Sequence, residues 1–277
     1  MPYIDTQLSQ FKTLIEKAII EGGTPKKESI IRSSTLINLI HDAVKNEFIK
    51  KGVRPENIYP PYKATKPELK LAGFLKQKDQ DICIIPSGIR KISTTINWGP
   101  LAFENKQDPY GMEYTTKTLV INIRSQMSSL AKNSDTLFER TFAEALNLHM
   151  RYPNIVLGEV YLIPVYEYDD EMVKKNKVGF KAKQTNIEKY ISFFNSINGR
   201  QVGGAPYAYE RCALLVVNFS KEKPYLFRNS TELKKAGFIS HGFEIEYASL
   251  NFQNFAEDIL QIYSERHGLR YLKNTPD

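Results

Sequence analysis

The chain has 277 residues, of which 42% are hydrophobic and 25% charged, with a formal net charge of +7. Such proportions support a sizeable buried core, and no apolar run approaches the ~18 residues that a membrane-spanning helix needs, so a disordered chain and a helical membrane protein are both set aside. The basic surplus favours a polyanionic partner such as nucleic acid.

In chain order, the opening MPYIDTQLSQFKTLIEKAII carries acidic residues and no apolar block ahead of a small-residue cleavage site, so no signal peptide is expected. Leu8, Phe11, Leu14, Ile15, Ala18 and Ile19 keep helical spacing, and Gly22-Gly23 is expected to end that helix. A second helix is expected from about Lys27 to Lys51, with Gly52 as its stop. The passage Pro55 to Pro67 reads as loop. Leu71 to Phe74 and Asp81 to Ile85 read as two short strands joined by the polar turn KQKDQ, the second being a buried strand preceded by a carboxylate. Residues 88 to 115 hold Trp98 and two turn signals, and read as an excursion with β-hairpin character. Thr118 to Ile123 is a strand, and a polar linker leads to a helix from Asp135 to about Arg151, with Asp135 or Ser134 as N-cap.

Ile155 to Tyr166 is a further strand, residues 171 to 185 a basic loop and Ile187 to Ile197 a helix. Cys212 to Phe219 is a strand, Thr231 to Ala236 a short helix, Glu244 to Leu250 a strand and Phe252 to His267 a closing helix. Helix, strand, strand, strand, helix, strand in the middle of the chain gives an α/β domain with a mixed sheet flanked by helices, not regular βαβ units. One domain over residues 1–277 is expected. Cys83 and Cys212 each lie within an apolar run and read as buried free thiols, which makes a reducing compartment, the cytoplasm, the expected location.

Familiar nucleotide and hydrolase signatures are missing: no GxxxxGK[ST], no GxGxxG, no GxSxG. His41, His149, His241 and His267 are scattered, and two cysteines alone make no zinc site. What remains is carboxylates and cations near strand ends. Phosphodiester hydrolysis with Mg²⁺ needs such a set: hard oxygens for the ion and a cation for the phosphate.

The order of elements, with charges at fixed places, resembles the core of the PD-(D/E)xK nucleases, the fold of many type II restriction endonucleases. The resemblance covers roughly residues 35 to 165. That family often carries an acid on its first helix and an Asp opening the second strand; (D/E)xK follows on the third strand, then a helix and a fourth strand. Here Glu47 falls on the early helix, Asp81 opens DICII, and Asn122-Ile123-Arg124 falls at the (D/E)xK place. The segment TLVINIRSQMSSLAKNSDTLFERTFAEALNLH also has the look of restriction enzymes. Two departures stand out. Asn122 replaces the acid, offering a carbonyl without a negative charge; Arg124 replaces the lysine, able to orient phosphate but a poor proton acceptor. Some enzymes of this fold take the missing carboxylate from the following helix, where Glu139 and Glu144 both lie; Phe138 and Phe142 mark its buried side, which favours Glu139.

The resemblance implies a sequence-specific double-stranded DNA endonuclease that uses Mg²⁺. Asp81, Glu47, Glu139 and Asn122 would hold the ion, Arg124 would stabilise the transition state, and the protein would be a homodimer. The same residues have structural readings. Asp81 can close a turn, Glu47 and Glu139 can be solvated charges, Arg124 a loop cation, and Glu159, inside an apolar strand, either an edge residue or another member of the site. For DNA contact the candidates are Arg90, Lys91, Asn97 and Trp98 in the excursion, then Gln126, Ser128, Lys132 and Asn133 after the motif strand. Residues 174 to 183, with five lysines, add a phosphate grip. A DNA-binding protein without cleavage, and an unrelated protein whose basic charge is incidental, are the competing classes.

Overall fold

The computed structural model describes residues 2–273. The chain opens with α1 (Tyr3–Arg32), which kinks where Gly22 and Gly23 leave helical geometry, Gly23 at φ 55°. The glycines bend this helix and do not end it, because Pro25 stands in the first turn of the resumed helix, where its missing N–H costs nothing. The break falls instead at Ser33, whose hydroxyl accepts from Thr35 N and starts α2 (Ser34–Lys50).

The chain continues through β1 (Ile58–Tyr59), β2 (Leu69–Ala72), β3 (Gln77–Gln80), β4 (Ile82–Ile84), β5 (Thr94–Thr95), α3 (Pro100–Phe103), β6 (Gln107–Asp108), α4 (Met112–Thr116) and β7 (Leu119–Ser125). Then come α5 (Leu130–His149), β8 (Val156–Pro164), β9 (Tyr166–Tyr168), α6 (Asp170–Lys174), β10 (Phe180–Gln184), α7 (Ile187–Ser196), β11 (Arg211–Asn218), β12 (Tyr225–Leu226), α8 (Ser230–Lys235) and α9 (Phe255–His267).

Six strands form the central sheet in the order β1-β4-β7-β8-β11-β12. The three long inner strands are parallel, and the outer ones join antiparallel. The protein is therefore a mixed α/β fold with helices on both faces, as the element order predicts. Side chains alternate across each strand. One face presents Ile82, Ile121, Ile123, Val160 and Leu215 to α1, α2 and α9, through Phe11, Val44, Phe48 and Ile259. The other presents Cys83, Val120, Leu157, Tyr161 and Leu214 to α5 and α7, through Ala145, Leu148, Ile191 and Phe194. Both cysteines are buried and free.

Several expectations need correction. The segment QKDQ is no turn: it is β3, paired with β2 in a separate hairpin whose turn lies at residues 73–76. The basic loop contains α6, capped by Asp169, and β10, paired with β9. Helix α5 begins at Leu130, ahead of the expected Asp135. Tyr247–Leu250 is a 3-10 turn and not part of a strand, because its buried residues Tyr247 and Leu250 recur every three positions. The excursion does contain a hairpin, β5 with β6. Among the described residues no helix is long and apolar enough to cross a membrane.

Candidate active site

The chemistry-bearing residues gather on the sheet face that α5 covers. Strand alternation places them there. Asp81 stands two positions before Cys83, Asn122 and Arg124 follow Val120, and Glu159 follows Leu157, so all share the phase of that core. Parallel register sets Asn122 beside Glu159 on neighbouring strands. Asp81 precedes β4, and its Oδ2 accepts from Ile123 N at 2.8 Å, which ties the carboxylate to β7.

Around this line the charges interlock. Arg124 Nε lies 3.3 Å from Glu159 Oε1, and its Nη2 lies 3.7 Å from Glu144 Oε1 on α5. Lys78 on β3 pairs with the other oxygen of Glu144. Glu159 is fully buried, while Arg124, Glu144 and Lys78 keep partial access to solvent. Neither oxygen of Glu159 has a hydrogen bond, and Asn122 Oδ1 is likewise buried without a donor. Buried oxygens of this kind are costly unless a donor or a cation meets them. Burial pushes the Asp81 carboxyl up despite the Ile123 N–H and the nearby cations. It pushes Glu159 up to about 7, with Arg124 pulling down and Asp81 and Glu144 pushing further up. Burial disfavours the charge on Arg124, but the carboxylates of Glu159, Glu144 and Asp81 outweigh it and hold the guanidinium protonated.

The sequence-predicted residues divide accordingly. Asp81, Asn122 and Arg124 come together, and Glu159 joins them. Glu47 does not: α2 packs on the opposite face of the sheet, and Glu47 accepts from Lys50 at 2.8 Å beside Pro2, Leu226 and Phe252. Glu139 is exposed on α5, away from the cluster, and Glu144 is the helix carboxylate that arrives. The error is one of helix phase. Phe138 and Phe142 form an aromatic patch at the surface with Phe193 and Tyr207, while the side that meets the sheet is Ser134, Thr141, Ala145 and Leu148. Five residues separate the two acids by about 140° around the helix. Lys78 escapes sequence reading because QKDQ has the composition of a turn, although it forms β3.

The DNA candidates also divide. Gln126 is buried and turned into the protein: its Oε1 accepts from Tyr161 and Tyr190, and its Nε2 donates to the Ser129 carbonyl. Ser128 is half-buried, and Lys132 and Asn133 are exposed in the first turns of α5. In the excursion Arg90 and Asn97 are exposed, Lys91 lies over the rings of Tyr110 and Tyr114, and Trp98 packs on Phe74 and Arg151. Gln77 Nε2 donates to Gln107 O at 2.6 Å and ties the excursion to the strand that carries Lys78.

Among the described residues no three His, Cys, Asp or Glu side chains stand together as ligands for one metal ion. The donors at hand are two carboxylates, Asp81 and Glu159, and the amide oxygen of Asn122. All three are hard oxygens, the type that Mg²⁺ prefers, and two of them lack any other hydrogen-bond partner at the buried atoms.

No family model matches the chain, and no curated protein matches it. Among solved structures it is similar to the restriction endonuclease PspGI in a complex with substrate DNA, at 12% identity and a TM-score of 0.35, over 92% of this chain and 73% of that one. A likeness that slight transfers no residue role to this chain.

Proposed function

We propose that the protein is a Mg²⁺-dependent endonuclease acting on double-stranded DNA, of the restriction type. The observation that carries this reading is the buried, hydrogen-bond-free carboxylate of Glu159 beside the orphaned Asn122 oxygen, with Asp81 across the same face. Asp81, Glu159 and Asn122 would hold the ion, with waters completing its shell as Mg²⁺ requires. A bound Mg²⁺ there supplies Lewis acidity and a water of lowered pKa. Arg124 and Lys78, both partly accessible, offer positive charge to the scissile phosphate, and Glu144 fixes the two cations in place. Arg90, Lys91, Asn97 and Trp98 lie on the excursion joined to the Lys78 strand and would face the duplex, with Lys132 and Asn133 meeting phosphates. A homodimer would match a two-fold DNA site.

A second reading has its own observation. Arg124 already sits against Glu159 and Glu144, and Lys78 against Glu144, so much of the carboxylate charge is offset without an ion. A DNA-binding protein of this fold that does not cleave would carry the same arrangement.

Incubation with unmethylated phage DNA, with Mg²⁺ or with chelator, separates them. Discrete Mg²⁺-dependent fragments, reduced at least a hundredfold by Asp81→Ala, are the expected result. Intact DNA with salt-sensitive binding favours the non-cleaving reader, and intact DNA without binding overturns the nucleic-acid reading altogether.

A further inference from the structure

Tyr209 is fully buried just ahead of β11 and belongs to none of the charged groups of the site. Its backbone is pinned on both sides: Tyr209 N donates to Ile197 O at 2.7 Å, and its carbonyl accepts from Arg200 N at 3.0 Å. The phenol reaches α5, where its hydroxyl donates to the Thr141 carbonyl at 2.9 Å. A tyrosine hydroxyl has one proton to give. With that proton on Thr141, Tyr209 can only accept from Asn122, and Asn122 Nδ2 lies 3.4 Å from it. The amide is thereby turned with its N–H₂ toward Tyr209 and its oxygen away, and that oxygen is the one left without a donor.

The opposite orientation would ordinarily be preferred. Glu159 stands alongside Asn122 in register with both oxygens lacking hydrogen bonds, and a turn of the amide would aim its donors at that carboxylate. The hydrogen bonds of Tyr209 stand against this turn and keep the Asn122 oxygen on the side away from the phenol.

We infer that Tyr209 is a positioning residue: by accepting from Asn122 it presents the Asn122 carbonyl oxygen, beside Glu159, to a divalent cation. The inference rests on the Mg²⁺ reading of the site and adds the group that makes an asparagine serve where a carboxylate would need no orientation. Partners that orient metal ligands in this way are worth about tenfold to a hundredfold in metal affinity.

The test is a double-mutant cycle read by the paramagnetic resonance of free Mn²⁺ at pH 8, without DNA, so that it does not depend on cleavage. Tyr209→Phe keeps the ring and removes the hydroxyl; it should weaken Mn²⁺ binding about tenfold. In an Asn122→Asp background, where either end of the side chain is an oxygen, the same Tyr209→Phe change should cost less than about twofold. Equal losses in both backgrounds would make Tyr209 a packing residue only, and no loss in either would equally overturn the inference. Should Tyr209→Phe fail to fold, Asn122→Asp alone decides: it puts a charge where the oxygen points and should tighten Mn²⁺ binding, and weaker or unchanged binding overturns the inference. Wild-type protein that binds no Mn²⁺ would defeat the metal reading, and the positioning role with it. Mn²⁺ binding with an uninformative cycle would defeat the role of Tyr209 alone.

Discussion

Burial pushes the Glu159 carboxyl up to about 7, against the pull of Arg124 and with the push of Asp81 and Glu144. In the unfolded chain the same group titrates near 4.5. The folded state therefore binds the extra proton between those values, so stability from this group is complete below about pH 4.5 and is lost as pH rises through about 7. Asp81 shifts in the same direction for the same cause. Glu159→Gln removes this dependence while keeping the shape. Relative to wild type, the variant should gain several degrees in Tm between pH 5 and pH 8 in metal-free buffer, corresponding to a few kcal/mol. Thermal melts across that range check it. A variant that instead loses stability as pH rises would mean that Arg124 keeps Glu159 ionised throughout. At this scale the sequence is informative where strand alternation rules. Asp81, Asn122 and Arg124 fall on one face by counting in twos, and Glu159 stood out as a carboxylate in an apolar strand. Tyr209 carried no signal, since its role depends on a hydroxyl reaching a helix carbonyl of Thr141, 68 residues earlier.

The hairpin of β2 and β3 brings Lys78 over the site, and α5 holds the hairpin by its turn. Asn147 Oδ1 accepts from Leu75 N at 2.7 Å and Lys76 N at 3.2 Å, and its Nδ2 donates to Lys76 O at 3.2 Å. The amide thus stands in for a missing stretch of backbone, and it lies where a side chain on Gly73 would go: a Cβ there would meet the Asn147 amide at 2.1–2.5 Å. Gly73→Ala is expected to cost about 1–3 kcal/mol by overpacking. The same change in an Asn147→Ala background should cost much less, because the obstructing amide is gone. Urea unfolding of the four proteins measures the coupling, and additive losses would show that the turn does not depend on this contact. None of this was readable in advance. Sequence reading runs the first strand through Gly73 to Phe74 and puts the turn at the polar KQKDQ, whereas the turn lies at residues 73–76 and QKDQ is a strand held by its neighbours. Helix α5 misled in a related way, since its aromatic residues face the surface patch and its small and polar ones face the sheet.

At the end of the sheet where β11 begins, one carboxylate joins both helical layers. Glu210 precedes β11, and its Oε1 accepts from Arg200 Nη1 and from Arg266 Nη1, each at 2.8 Å. Its Oε2 accepts from Leu157 N at 2.8 Å, and His149 Nε2 lies 3.3 Å away. Arg266 comes from α9 on one face of the sheet, His149 from the end of α5 on the other, and Arg200 from the loop after α7. Both guanidinium groups reach further: Arg200 Nη2 donates to Pro153 O, and Arg266 Nη1 to Ile155 O. The connection from α5 into β8 is therefore held by the same knot. Burial opposes the Glu210 charge, but His149, Arg266 and the Leu157 N–H outweigh it and bring its pKa down to about 2. A lowered folded pKa gives stability that is present above about 4.5 and lost as pH falls toward about 2. Glu210→Ala would leave two buried arginines facing each other and the Leu157 N–H unpaired. A loss of about 3–5 kcal/mol is expected from breaking a buried pair on one side. Arg200→Ala should cost less, because Arg266 still neutralises the carboxylate. Denaturant unfolding at pH 7 ranks the two variants, and the reverse order would mean that the guanidinium contacts to the Pro153 and Ile155 carbonyls, rather than the charge of Glu210, hold the two layers at that end of the sheet.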